Sequence, residues 1–190
     1  MRIITGSARG CNLLTLPGDN TRPTSERAKE AVFSVLQFSI EGRRVLDLFS
    51  GSGQMALEAL SRGAQSAVTV DSSADAIGII RKNAEKTHLS DRCRIVRAEL
   101  PGYIRKMHDG PFDIVFMDPP YRLGLIPQCL SFLYEEKALK PTSVVVCESA
   151  SFDDVFAGME APEKKYSVIK CAKYGLNHIT FLKPVTEEEQ

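Results

Sequence analysis

From residue 45 onward, short near-continuous apolar runs alternate with segments whose apolar positions recur at helical spacing. Val45-Leu46-Asp47-Leu48-Phe49 is closed by Ser50-Gly51-Ser52-Gly53, and Met55, Ala56, Ala59 and Leu60 then return every three or four residues. The pattern predicts a strand, a glycine turn and a helix. Ser66 to Val70 reads as a second strand ending at Asp71, followed by a helix with Ala76, Ile77, Ile80 and Ala84 on one face. Further strands are predicted at Arg94–Val96, Phe112–Met117 and Ser143–Cys147, and stretches 165–171 and 177–182 form a closing pair around Tyr174-Gly175. Near-continuous apolar strands that alternate with helices belong in a parallel sheet covered on both faces. The expected class is therefore α/β, with a mostly parallel seven-stranded sheet and a final antiparallel hairpin.

The first forty residues differ in kind. Arg2 to Ile4 is expected as a short strand and Gly6 to Asn20 is turn-rich. Pro23 precedes a helix whose apolar stripe is Ala28, Ala31, Val32, Val35 and Leu36. The expected organisation is a small N-terminal extension (1–40), a main domain (41–185) and a frayed tail (186–190). There is no internal repeat and no low-complexity segment.

Composition narrows the class. A chain of 190 residues that is 43% hydrophobic can bury one sizeable core. The five cysteines, at 11, 93, 129, 147 and 171, form no C-x-x-C pair, which suggests free thiols in a reducing cytosol. With no N-terminal apolar signal region and no apolar run of membrane-spanning length, a cytoplasmic protein without a membrane is expected. A net charge of zero argues against indiscriminate nucleic-acid binding. Its distribution is uneven: residues 1–44 carry seven Lys/Arg against four Asp/Glu, and residues 81–108 carry eight against three. His88, His108 and His178 lack metal-ligand spacing, so no metal is expected.

Ligands of open α/β sheets bind outside the carboxyl ends of the strands. Those ends here hold Asp47 with the Gly51/Gly53 turn, Asp71, Glu99 and Asp118. Glycines let a backbone approach a ligand closely, and a carboxylate 18 residues past Gly53, at Asp71, suits the two hydroxyls of a ribose. Gly51-Ser52-Gly53-Gln54-Met55-Ala56 also satisfies a G-x-G-x-x-A pattern, which leaves a nicotinamide dinucleotide and an oxidoreductase open beside S-adenosylmethionine. Asp47 favours the sulfonium cofactor, since a carboxylate there sits badly against a pyrophosphate.

Asp118-Pro119-Pro120-Tyr121, just past an apolar strand, strengthens that choice. An exocyclic ring amine is a poor nucleophile and must be drawn out by hydrogen-bond acceptors. Asp118 offers a carboxylate, and Pro119 a carbonyl whose direction is limited by two successive fixed φ values. Tyr121 offers a flat face for a base to stack on. Methyl transfer to a planar amine needs this set, and hydride transfer does not.

These motifs have a family likeness. Arg2-Ile3-Ile4-x-Gly6, Arg9-Gly10 and Arg22-Pro23-Thr24 with Arg27, Glu30 and Phe33 resemble the N-terminal signature of RsmD-type 16S ribosomal RNA guanine-N2 methyltransferases. The Leu46 to Gly53 run, Glu58-Ala59-Leu60-Ser61-Arg62-Gly63-Ala64 and Asp118-Pro119-Pro120-Tyr121 match as well. The glycine and DPPY motifs are shared with adenine-N6 methyltransferases of DNA or RNA, so the N-terminal signature alone points to this family.

The resemblance implies a Rossmann-like class I methyltransferase that uses S-adenosylmethionine, releases S-adenosylhomocysteine and modifies one guanine N2 of 16S rRNA. Asp47, Phe49, Gly51 and Gly53 would cradle the methionine end, Asp71 the ribose, and Thr24 would cover the cofactor. Glu99 stands where an Asp or Asn commonly meets the adenine amine. Asp118, Pro119, Pro120 and Tyr121 would be catalytic, and Arg2, Arg9, Arg22 and Arg27 would contact RNA phosphates. A monomer acting on the assembled or assembling 30S subunit is expected.

Overall fold

The computed structural model describes residues 1–16, 26–120 and 123–186. Thr24, Arg22 and Tyr121 lie outside the described residues. The chain forms two compact units, Met1–Ala98 and Glu99–Gln190. The first holds α1 (Glu26–Leu36), β1 (Arg44–Leu48), α2 (Gln54–Ser61), β2 (Ser66–Asp71), α3 (Ala74–Lys86) and β3 (Cys93–Arg97). The second holds β4 (Phe112–Met117), α4 (Leu125–Glu135), β5 (Leu139–Ser149), β6 (Tyr166–Tyr174) and β7 (Asn177–Pro184). The strand order is β3-β2-β1-β4-β5-β7-β6. This is the mostly parallel α/β sheet, with its antiparallel final hairpin, that the hydrophobic pattern predicts.

In the first unit β1 and β2 run parallel with Asp47 opposite Thr69, and β2 and β3 run parallel with Asp71 opposite Arg97. Val45, Leu46, Leu48 and Val70 are fully buried, as are Ala56, Leu57, Leu60, Ile80 and Ala84 from the helices. In the second unit all six residues of β4 are buried. The Tyr166 hydroxyl donates to the Leu130 carbonyl at 2.8 Å, and its ring meets Tyr134 edge-on at 6.1 Å.

Three sequence expectations are corrected. β5 starts at Leu139 rather than Ser143, through a polar stretch that hydrophobicity does not mark. Its register against β4 shifts there, and Ser143 Oγ bridges the irregularity by accepting from Lys140 N at 2.7 Å and donating to Phe112 O at 2.6 Å. The buried face of α1 is Ala28, Lys29, Val32, Phe33 and Leu36, with Val35 39% exposed. The seam rotates toward Lys29 and Phe33 because the lysine has partners inside. Arg2 to Ile4 forms a single antiparallel bridge, Arg2 to Asn12, in place of a strand.

Those inside partners tie the start of the chain to the helices. Glu58 of α2 is completely buried and accepts from Ile4 N (2.7 Å), Thr5 N (3.1 Å) and Arg62 Nε (2.8 Å). Lys29 Nζ lies 3.5 Å from Glu58 and donates to Arg2 O at 2.5 Å. Burial holds the lysine below its usual pKa, against the opposing pull of Glu58. Ser61 Oγ accepts from Ala8 N (2.9 Å) and donates to Thr5 O (2.6 Å). Gly6, at φ +89°, packs so tightly that a Cβ would lie 1.8 Å from the Ser61 carbonyl oxygen. On α3, Asn83 accepts from Leu14 N (2.8 Å) and donates to the carbonyls of Leu14 (3.0 Å) and Ser52 (2.9 Å).

Among the described residues no helix is long and apolar enough to cross a membrane. All five cysteines are free, and Cys93, Cys129 and Cys147 are buried.

Candidate active site

The chain leaves β1 through a turn that ordinary residues resist. Phe49 has φ +61°, Gly51 +53° and Gly53 +75°. Left-handed backbone at a non-glycine aromatic costs of order 1–3 kcal/mol and persists only where surroundings fix it. Ser50 supplies the fixing. Its amide donates to Val70 O at 3.1 Å, and its hydroxyl accepts from Val70 N at 3.0 Å and lies 2.6 Å from Asp47 O. Gly53 then caps α2, where a Cβ would press on Ile80 at 3.1 Å.

Two carboxylates frame this turn. Asp47 is 3% exposed, and its Oδ2 accepts from Ala56 N, in the first turn of α2, at 3.2 Å. Burial drives its pKa up from 3.8 to about 7; the Ala56 amide opposes the rise and the nearby charge of Asp71 adds to it. Asp71, at the end of β2, is half-buried. Its Oδ2 accepts from Gly51 N and its Oδ1 from Ser73 N, both at 2.9 Å. Each oxygen retains capacity for another donor. A Cβ at Gly51 would meet nothing within 4 Å, so open space adjoins the backbone where Asp71 holds it. Gln54, the first residue of α2, is 9% exposed, and its Oε1 has no hydrogen-bond partner among the described residues. The structure thus brings Asp47, Phe49, Gly51, Gly53 and Asp71 together. A cradle of open backbone beside a carboxylate with spare acceptor capacity fits a ligand rich in N–H and O–H donors.

In the second unit Glu99 is exposed, and its carbonyl accepts from Tyr103 N at 3.0 Å. Beyond the buried β4, Asp118 is exposed, Pro119 buried and Pro120 exposed. Glu148, one residue past the predicted Ser143–Cys147 strand, lies inside β5; it is buried and accepts from Asn177 Nδ2 at 2.5 Å. Among the RNA candidates, Arg2, Arg9 and Arg27 are exposed. Arg2 and Arg9, with Ile3, Ile4 and Gly10, line a cleft of about 170 Å³. Arg2 Nε is 3.9 Å from Glu26 Oε1, a solvent-exposed pair of little strength. Among the described residues no group of three or more His, Cys, Asp or Glu could hold a metal ion.

The sequence names Gln54 and Glu58 only as members of motifs, with no role of their own, and does not single out Asn83. Glu58 carried a signal, since Arg62 follows it at i+4. Gln54 carried none, because an unmatched acceptor is a property of its surroundings.

The family described as conserved hypothetical protein 95 matches residues 1–183, nearly the whole chain. The chain belongs to this family, that of the RsmD-type methyltransferases. The RsmD-type relative named ribosomal RNA small subunit methyltransferase D from Haemophilus influenzae is 32% identical over 151 residues, 78% of each chain. The Escherichia coli protein of the same name is 32% identical over 149 residues, 78% of this chain and 74% of that one. The solved structure of yhhF from Escherichia coli superposes with a TM-score of 0.84 at 28% identity, covering 98% of this chain and 99% of that one. S-adenosylmethionine, rather than a nicotinamide dinucleotide, is the cofactor of an RsmD-type enzyme, and the glycine turn with Asp71 suits it.

Proposed function

We propose that this protein methylates the exocyclic N2 of one guanine in 16S ribosomal RNA. The observation that carries the reading is Asp118-Pro119-Pro120 directly after the buried strand β4, in a chain that matches the RsmD-type family from residue 1 to 183. Two relatives bear the name ribosomal RNA small subunit methyltransferase D, which supports ribosomal RNA as the substrate.

S-adenosylmethionine supplies an electrophilic methyl group on sulfur. Asp71 takes the ribose hydroxyls, and Asp47 with the Phe49–Gly53 turn receives the methionine end. Thr24 and Glu99 complete the cofactor contacts. Asp118 and the Pro119 carbonyl accept the two amine hydrogens, turn the nitrogen lone pair outward and stabilise the positive charge that develops on it. Pro120 limits the direction of that carbonyl, and Tyr121 stacks on the base. Positioning of this kind contributes about 7–11 kcal/mol to such reactions. Arg2, Arg9, Arg22 and Arg27 contact phosphates and set the register of the RNA.

A chain of zero net charge releases few counterions on binding naked RNA, which favours the assembled or assembling 30S subunit as substrate. The enzyme acts there as a monomer, in the cytoplasm. Residues 1–40 form the RNA-contacting extension and 41–185 the catalytic part.

The test supplies labelled S-adenosylmethionine with small subunits, or with their naked RNA, from a strain lacking the gene. Label at one guanine N2 is expected. Label on adenine N6 would replace this reading with the adenine-directed alternative.

A further inference from the structure

Charge is sorted along the last part of the chain. Residues 149–163 carry Asp153, Asp154, Glu160 and Glu163 and no Lys or Arg. Residues 164–186 carry five lysines, at 164, 165, 170, 173 and 183, and no Asp or Glu. This basic block falls on the final hairpin, whose strand β6 ends the sheet with β7 as its one neighbour in the strand order.

Register divides the five lysines into two groups. Tyr166 pairs with Pro184, and Val185 N donates to Lys165 O at 2.9 Å, so Lys164, Lys165 and Lys183 belong to the end of the hairpin remote from its turn. Lys170 and Lys173 belong to the other end. Met117 of β4 pairs with Cys147, Cys147 with Thr180, and Thr180 with Cys171, which sets one level across β4, β5, β7 and β6. Asp118 leaves β4 one residue beyond that level, and Lys173 lies two residues beyond it in the same direction on β6. Strands are spaced about 4.8 Å apart, so this edge stands about 14 Å from β4.

Both lysines are exposed, and neither forms an ion pair with a described residue. Glu148, the carboxylate on these levels, is buried and accepts from Asn177. Three residues apart on a strand, the two side chains leave opposite faces and so flank its open edge. Exposed ammoniums at the end of the sheet where Asp118-Pro119-Pro120 begins have the chemistry of phosphate contacts. We propose that Lys170 and Lys173 form a second RNA contact, which holds the phosphate backbone beside the target nucleotide. The inference rests on ribosomal RNA being the substrate.

The test measures methyl transfer by the full-length protein over a range of salt, on small subunits or their naked RNA from a strain lacking the gene. Lys170→Gln combined with Lys173→Gln should raise KM for the RNA substrate by about tenfold and lower its logarithmic salt dependence by about 1–2, with kcat unchanged. Affinity for S-adenosylhomocysteine should equal that of wild type, which also reports that the variant is folded. Lys170→Arg with Lys173→Arg keeps both charges and should keep the wild-type KM. Lys164→Gln with Lys165→Gln removes as much charge at the far end of the hairpin and should leave KM within about twofold of wild type. An unchanged KM in the first variant, or an equal rise in the far-end variant, would overturn the assignment. So would association of the first variant into dimers with its KM unchanged, the result expected of lysines that only guard a sheet edge. A wild type that methylates neither substrate would instead remove the RNA reading beneath the proposal.

Discussion

Asp71 holds Gly51 by its backbone: Oδ2 at the end of β2 accepts the glycine amide at 2.9 Å, while Oδ1 accepts from Ser73 N at the same distance. The carboxylate therefore shapes the turn after β1, and in the proposed function it also takes the ribose hydroxyls. Asp71→Ala should lose both roles. Hydrogen bonds to charged groups contribute about 1.5–3 kcal/mol each, so affinity for S-adenosylhomocysteine should fall by at least about tenfold. Calorimetry reads the loss, and full affinity in the mutant would remove Asp71 from the cofactor site.

Asp118→Ala should separate binding from chemistry. S-adenosylhomocysteine affinity should stay within about twofold of wild type, because a change that removes an interaction made only to the reacting amine acts on turnover. Methyl transfer to small subunits should fall by more than about a hundredfold. Normal turnover in a single-turnover assay would end the proposed role of Asp118.

Asp47 makes stability depend on pH in a direction opposite to that of most carboxylates. Its pKa is raised from 3.8 to about 7 by burial, so between those values the folded protein keeps a proton that the unfolded chain has released. Stability from this group is present below about pH 4, declines as pH rises to about 7 and is constant above. Asp47→Asn keeps an acceptor for Ala56 N and cannot ionise. Denaturant titrations should show the mutant gaining on wild type as pH rises from 4 to 7, by a few kcal/mol at about 1.4 kcal/mol per pKa unit. A difference that is flat across this range would contradict the burial argument.

Gly6→Ala should be severe for a single methyl group. The new Cβ would meet the backbone oxygen of Ser61 at 1.8 Å, and the residue sits at φ +89°. Overpacking costs about 1–3 kcal/mol, and strain at positive φ adds to it. At about 2–4 °C per kcal/mol for a chain of this size, the melting temperature should drop by roughly 5–10 °C. Gly42→Ala, also at positive φ but with nothing within 4 Å of the added Cβ, is the control for strain alone and should drop less.

The sequence was readable where burial and pattern coincide. β4 is buried from end to end and its bounds are those read from the sequence, and Asp47, Gly51, Gly53 and Asp71 meet because consecutive parallel strands place their carboxyl ends side by side. The reading failed where polar groups are buried in company. Lys29 lies off the apolar stripe that the sequence predicts for α1, yet Glu58 and the Arg2 carbonyl give it partners inside, and the buried face turns accordingly. Glu148 looked like the end of a strand because charge is a poor tenant of a sheet interior, yet Asn177 on the neighbouring strand accommodates it. Lys140, Pro141 and Thr142 at the start of β5 carry no hydrophobic signal, and the Ser143 bridge joins that stretch to Phe112.

The first residues of the chain are joined to the glycine turn after β1 through one short helix. Glu58 and Ser61, toward the end of α2, grip residues 4 to 8, while the start of the same helix meets Asp47 through Ala56. Met1 itself is engaged, its carbonyl accepting from Leu13 N at 2.9 Å and its sulfur lying 3.5 Å from the Ser52 hydroxyl in the glycine turn. For anyone producing this protein, the beginning of the chain is consequently not spare length. Trimming it would take from the buried Glu58 the amides of Ile4 and Thr5, and from the buried Lys29 the carbonyl of Arg2.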